Sequence, residues 1–424
     1  MIFDVPFYQL FILSLNGLLK VFFQPIFYFV VFMVYWQCKN LANQQKNLFG
    51  HENLPVWQTV LELTAAGMLG GLFASMLVLI TGLSINDLGI KYIWPLALAL
   101  LLVNIRFLCF AYAGGIIALA NSLFGWPEVA ASHVLALVAI LHITESMLVF
   151  IGGRFSSLPI YVKIKGKAVG GFLLSNFWPL PLIMMVVIGV PDAQMPETLR
   201  MPDWWPIFPV METEQGYTNI LMPITIAAIL GYSSISLTGS PAAKRRFSAF
   251  VLFVYSALLL IISYLSIDNR MFGIIAALVS IIGHEVAVHL DQKMELKSEP
   301  IYKRRPGKYV VLSTLYDSPA RRAGIQTNDI IIRVNKQQIY DEGDMDMLTD
   351  FLPDKFDIEV IRDEKYLTLP ITIEEDEEKD IGIIRMPIEG RDNLMSFDAN
   401  YSILSKWYKK YKRYRAFKNK TRGQ

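Results

Sequence analysis

The chain is poor in charge and almost without cysteine. Asp, Glu, Lys and Arg make up 18% of its 424 residues, where a soluble chain carries about a quarter. Cys38 and Cys109 are the only cysteines, which excludes a disulfide-framed secreted scaffold; neither falls in an expected external loop, so both are read as free thiols. The N-terminus has no basic segment before its first apolar run and no small-residue cleavage pattern after it, so no cleaved secretory signal is expected. Metalloprotease spacing is also missing. His284-Glu285 is followed by a histidine only at His289, and histidines five apart point roughly 140° apart around a helix, where they cannot share one ion. No Asp-Gly pair on an apolar run supplies a further ligand. The spacing therefore predicts no proteolytic activity and no tightly bound zinc, and neither a cofactor nor a catalytic residue is expected.

What the chain does have is apolar length. Hydrophobic residues make up 54%, and the charges crowd into residues 291–424. A spanning helix needs roughly 20 apolar residues. Qualifying runs lie near 18–37, 59–81, 107–124, 133–152, 170–190, 217–237, 247–265 and 271–291. Residues 92–105 form a shorter run, a short span or a re-entrant half-helix. The expectation is an α-helical polytopic membrane bundle of eight or nine helices over 1–291. Loop 153–168 carries Arg154, Lys163, Lys165 and Lys167, and loop 238–246 carries Lys244, Arg245 and Arg246, both without acids. Loop 191–216 is acidic, with Asp192, Glu197, Asp203, Glu212 and Glu214. The positive-inside rule makes the first two cytoplasmic, the third external, and everything after residue 291 cytoplasmic. Gly67 with Gly70 and Gly71, Gly114 with Gly115, and Gly170 with Gly171 read as close helix–helix packing.

Past residue 291 the pattern shifts to short strands and turns. Tyr309–Leu312, Ile330–Ile332, Phe356–Val360 and Tyr366–Leu369 read as strands, and 343–352 as a short helix. The segment Ser318-Pro319-Ala320-Arg321-Arg322-Ala323-Gly324-Ile325, followed by Asp329 and Asn335, resembles the bacterial PDZ pattern. Its chemistry is readable. Ser318 caps a helix starting at Pro319, Ala320 and Ala323 pack that helix on the sheet, and Gly324 gives the left-handed exit. Asp329 opens a strand and Asn335 makes the next turn. Asn328 and Lys336 stand where that pattern usually has glycine; asparagine tolerates the left-handed conformation. The fold class is thus a membrane bundle followed by a small α+β PDZ-like domain at 295–390 and a basic aromatic tail at 391–424. PDZ domains bind peptides by strand addition at a sheet edge, which points to the first strand, Tyr309, Val310, Val311 and Leu312. A Tyr-Leu-Gly-Ile-like loop is not found ahead of that strand; Ile381-Gly382-Ile383 is similar but lies at the far end of the domain.

Ionisable or polar groups inside apolar runs are Arg106, His142, Glu145, Asn176, His284 and Glu285. The plain account is a buried polar cluster that locks the bundle, with Arg106 neutralising Glu145 or Glu285; a transport or metal site is the sharper one. From Lys406 to Arg422 there are nine Lys or Arg, Lys409, Lys410, Lys412, Arg413 and Arg415 among them, and no acid. Interleaved with aromatics, this tail suits an anionic lipid surface better than nucleic acid, because the chain is already tethered to a membrane.

Three membrane segments carry a wider resemblance: Arg106-Phe107-Leu108-Cys109-Phe110-Ala111-Tyr112-Ala113-Gly114-Gly115, His142-Ile143-Thr144-Glu145-Ser146, and Val169-Gly170-Gly171-Phe172 through Asn176-Phe177-Trp178-Pro179-Leu180-Pro181. Together with the order of parts, they resemble the MinJ family of Firmicutes, up to about residue 390. The resemblance implies a cell-membrane scaffold of division and septation, located at septum and poles, that bridges DivIVA-like and MinD-like cytosolic proteins, is not an enzyme, and is compatible with homo-oligomerisation. The alternative class is a transporter or intramembrane protease-like protein with a regulatory PDZ domain.

Overall fold

The computed structural model describes residues 5–50, 54–153, 157–164, 166–194, 196, 198–210, 217–340, 342–349, 352–374 and 381–395. The basic tail residues Lys409, Lys410, Lys412, Arg413 and Arg415 lie outside the described residues.

Long apolar runs form the helices α1 (Phe7–Lys20), α2 (Pro25–Phe49), α3 (Val56–Thr81), α4 (Ile90–Val103, with Pro95 in its first turns), α5 (Phe110–Phe124), α6 (Ala131–Ile151), α7 (Pro241–Leu265), α8 (Arg270–Leu278) and α9 (His284–Lys297). α8 and α9 join through a π turn at Val279–Gly283. Among the described residues, four helices are long and apolar enough to cross a bilayer: α3, α6, α7 and the α8–α9 unit. A fifth is counted if α1 and α2, bent by 78°, form one broken span. The bend falls at the 3-10 turn Val21–Phe23, just ahead of Pro25, as expected where the residue before proline is pushed out of the helical region. Phe29, Phe32 and Trp36 on α2 and Phe250, Phe253 and Ile261 on α7 are exposed, an apolar surface suited to lipid and not to water.

Two of the expected spans are not helices. Residues 170–190 and 217–237 belong instead to a long antiparallel hairpin, β2 (Lys167–Pro191) and β3 (Tyr217–Ser236), with the short β1 (Leu158–Ile164) on its other side. The reason is local. Pro179, Pro181 and Pro223 lie inside the runs, and each would cost a helix interior about 3 kcal/mol. As a strand, β2 can carry its prolines only along an edge where no ladder partner needs their missing N–H. That edge is docked on α3. The Ser75 hydroxyl accepts from Ile183 N–H at 2.9 Å, Asn86 Oδ1 accepts from Val187 N–H at 3.1 Å, and Ile85 N–H donates to Met185 O at 2.7 Å. Pro179 and Pro181 face the same way, their carbonyls lying where a Cβ on Gly67 or Gly71 would collide. The fit has a metric reason: four helix residues rise about 6.0 Å and two strand residues about 6.6 Å. Small residues at 67, 71 and 75 therefore keep step with 179, 181 and 183. The Gly67–Gly71 pair, expected between helices, packs a helix on a strand edge. On the outer edge of β3, the Thr225 carbonyl accepts from Gln24 Nε2 at 2.9 Å.

α3 and β2 run in the same direction, so the hairpin tip and residue 81 share one end of the bundle. There Trp205 Nε1–H donates to Leu79 O and Phe208 N–H to Thr81 O. At the other end, the Glu295 carboxylate on α9 accepts from Leu237 N–H at 2.7 Å and Thr238 N–H at 2.9 Å. Lys244, expected as a loop charge, is buried between Asp291 (2.9 Å) and Glu295 (3.6 Å). Lys163 and Lys167 likewise sit on β1 and β2, across the turn at Gly166.

The C-terminal region is β-rich. Strands β4 (Tyr309–Thr314), β5 (Ile330–Val334), β7 (Lys355–Arg362) and β8 (Lys365–Thr372), with helices α10 (Pro319–Arg322) and α11 (Glu342–Thr349), match the short elements read from the sequence; β6 (Gln337–Gln338) and β9 (Ile383–Arg385) are strands that reading did not include. The sheet order is β8-β7-β5-β4-β9, with β6 on β5. Ser318 accepts from Arg321 N–H, and Gly324 (φ +84°), Asn328 (φ +71°) and Asn335 (φ +48°) take the left-handed conformations expected of them. Lys336 does so too (φ +69°). The sheet rests on the base of the hairpin, where Tyr161 and Phe172 share a core with Tyr302, Val310, Leu312, Ile384 and Met386. Gly170 allows this contact: its N–H donates to Tyr302 O, and a Cβ there would meet Leu312.

Candidate functional site

Six polar residues were expected inside the membrane region, and the structure brings part of that set together. Arg106 lies in the 3-10 turn Ile105–Leu108, held by Asn104, whose side chain accepts from its N–H. Its guanidinium reaches Glu285 at 2.6 Å, and the Tyr112 hydroxyl donates to the other carboxylate oxygen at 2.6 Å. Arg106 is therefore neutralised by Glu285, one of the two partners expected for it. Asn176 is not on a helix; it sits on β2 opposite Tyr232. Glu145 lies on α6, three residues beyond His142 and so on the same face.

The grouping that the sequence did not announce centres on Cys109. Cys109 is the N-cap residue of α5, His142 sits mid-α6 and His284 follows the π turn. Their ligand atoms all lie within 4.8 Å of one another. Cys109 Sγ is 3.3 Å from His142 Nε2 and 3.4 Å from His284 Nε2. His142 Nδ1 is 2.7 Å from Val138 O. A carbonyl can only accept, so Nδ1 carries the proton and Nε2 presents its lone pair to the sulfur. Aromatic rings wall the cluster: Tyr112 stands 5.1 Å from the His284 ring, and Tyr255 5.6 Å from His142 and 5.9 Å from His284.

The π turn positions His284. One extra residue per turn leaves the Ser280 carbonyl out of register; the Tyr255 hydroxyl donates to it at 3.0 Å, while Ser280 Oγ donates to Ala111 O at 2.8 Å. Gly115 makes room, since a Cβ there would meet Ser280 and Ile281. Gly114 packs on Val134 and Val138 of α6, so this glycine pair does serve helix packing as expected. The sequence reading grouped His142 with His284, but nothing in it marks Cys109 as their partner, because the three residues come from three helices and lie 33 and 142 positions apart. At the opposite end of the bundle, the buried His133 and Asp87 lie 3.9 Å apart.

In the β-rich region, the strand expected to bind peptide is not at an edge. Tyr309–Leu312 belong to β4, which lies between β5 and β9 and is buried. Among the described residues, the edge strands are β8 and β9. Ile381-Gly382 leads into β9, with Gly382 at φ +76° packed on Ser318, and Leu315 N–H donating to Gly382 O. The PDZ-pattern segment and this distant loop are thus neighbours. Asp329, read only as a strand opener, is buried and held by Arg362 at 2.6 and 2.8 Å; it also accepts from Gln326 N–H. Those bonds, the Asp329 one first, raise Arg362 above the usual arginine value.

No family model matches the chain, and no curated protein matches it.

Proposed function

We propose that this chain is a membrane-embedded scaffold that holds a PDZ-like recruiting domain, residues 295–390, against the cytoplasmic face of its bundle. The observation that carries the reading is the edge strand β9, entered through the left-handed turn at Gly382 beside the Ser318–Gly324 helix. A PDZ-like groove needs such a turn-then-edge arrangement, so that main-chain groups can pair with an added strand. The proposed binding edge is therefore Ile383–Arg385, not Tyr309–Leu312. Strand β1 beside the hairpin touches it, the Tyr161 hydroxyl donating to Arg385 O at 2.7 Å. This gives the membrane bundle a direct contact with the recruiting edge. The loop charge counts support a cytoplasmic position for 292–424 and an external one for 191–216. The resemblance to the MinJ family supports DivIVA-like and MinD-like partners at septum and poles, with anionic lipid under the tail.

A cross-linking amino acid placed at Ile383 and, as control, at Tyr366 on the β8 edge tests this in dividing cells. The expected result is a cross-linked division protein from Ile383 only, together with septal fluorescence of a tagged chain that is lost on deleting 295–390. Uniform membrane fluorescence with no adduct from Ile383 would reject it. It would favour the second reading, a transporter or enzyme in the spans, which rests on the Cys109–His142–His284 cluster.

A further inference from the structure

The geometry points to an intramembrane site for a zinc-class divalent ion, ligated by the Cys109 thiolate and the Nε2 atoms of His142 and His284. The first support is metric. With Zn–S near 2.3 Å and Zn–N near 2.05 Å, a tetrahedral ion separates sulfur from nitrogen by about 3.6 Å. The two sulfur–nitrogen distances here are 3.3 and 3.4 Å, so an ion fits with side-chain shifts of a few tenths of an ångström. The third ligand pair falls within the 4.8 Å limit of the group and closes on the ion by small rotations of rings already in contact, with centroids 5.2 Å apart.

The second support is orientation. A distal nitrogen that donates fixes a ligating histidine's tautomer and raises the basicity of the other nitrogen. His142 has that arrangement through Val138 O, and its lone pair is aimed at the sulfur. The third is placement. Cys109 stands at the start of α5, where the exposed N–H groups and the helix dipole favour a negative ligand. The π turn that aims His284 is a locally costly feature, held by Tyr255 and Ser280, and such turns concentrate at functional sites. Arg106 is paired to Glu285, so its charge is balanced before it can oppose a cation.

The donor set of one thiolate and two imidazoles selects zinc-class ions over magnesium or calcium, which take oxygen. Three protein ligands leave a fourth position for water or a substrate atom, the arrangement of a working site rather than a closed structural one. The spacing argument against zinc concerned His289, which this site does not use. The site is independent of the recruiting role proposed above.

The test uses the full chain purified in detergent and stripped with a chelator. Wild type should take up zinc stoichiometrically. With cobalt(II) it should show both the intense visible bands of a tetrahedral ion and a near-ultraviolet sulfur-to-cobalt charge-transfer band. Cys109→Ser should remove the charge-transfer band, and His142→Gln or His284→Gln should weaken retention about tenfold or more. Cys38→Ser and His289→Gln should change nothing. X-ray absorption of wild-type zinc protein guards against variants that fail to fold: the expected first shell has one sulfur with nitrogen or oxygen neighbours. Absence of stoichiometric uptake, a shell without sulfur, or a charge-transfer band that follows Cys38 and survives Cys109→Ser would each overturn the assignment.

Discussion

The hairpin β2–β3 and the C-terminal sheet are both antiparallel, yet they look unlike each other in sequence. The C-terminal strands are short, bounded by turn residues, and several alternate between buried and exposed positions, as in Lys355–Arg362. β2 is a 25-residue strand with an unbroken buried stretch from Leu180 to Met185, and it reads as a transmembrane helix. The difference shows what periodicity can report. Alternation marks a strand only when one face meets water. A strand covered on both faces and along its edge keeps no alternation, and only proline betrays it.

If the strand edge of β2 is sealed by α3, the largest effect should come from adding volume at that seam. Gly71→Ala places a methyl group against the Pro181 carbonyl, which is backbone and cannot rotate away. We expect a loss of about 3 kcal/mol or more, seen as a collapse in folded yield in detergent. Gly114→Ala, whose nearest neighbours are side-chain methyls of Val134 and Val138 at 3.2 Å, should cost under about 1 kcal/mol. Equal losses would mean that the two glycine pairs do not differ in what they face.

The C-terminal sheet offers its own large effect at Asp329. Asp329→Ala removes a fully buried carboxylate and strands Arg362; a loss of about 3 kcal/mol is expected, read as earlier proteolysis of the C-terminal region with the bundle intact. A smaller effect is expected back at the seam. Ser75→Ala leaves the buried Ile183 N–H without its acceptor, at about 1–2 kcal/mol by thermal unfolding. Smaller still, and of opposite sign, Lys336→Gly relieves a left-handed lysine and should stabilise the β5–β6 turn by about 1 kcal/mol.

The segment that follows β9 also carries a pH dependence. Burial pushes the Asp392 carboxyl up, but hydrogen bonds from Arg385 and the Ile388 N–H outweigh it, leaving Asp392 below the ordinary carboxylate value. Its ion pair therefore contributes fully above that ordinary value and is lost as pH falls through the depressed one. Proteolysis near Arg391 should accelerate on acidification below about pH 4. Asp392→Asn should be susceptible already at neutral pH.

The apolar runs at 59–81, 133–152, 247–265 and 271–291 were legible because a helix long enough for a bilayer satisfies its own backbone. The caps and turns of 318–336 were legible because Ser318, Gly324, Asn328 and Asn335 act on their immediate neighbours. Local chemistry of this kind needs no tertiary information. The runs at 170–190 and 217–237 were not legible as strands, because hydropathy is the same whether the backbone pairs with itself or with another segment. What decided them was a partner far away in sequence: Gly67, Gly71 and Ser75 opposite Pro179, Pro181 and Ile183. The same holds for the edge position of Ile383–Arg385, set by pairing with β4, and for Cys109, His142 and His284. Composition and local pattern determined that this chain has apolar spans and a β-rich appendix. Only the tertiary structure decided which segments share an edge and which side chains share a centre, because both depend on contacts between residues dozens to hundreds of positions apart.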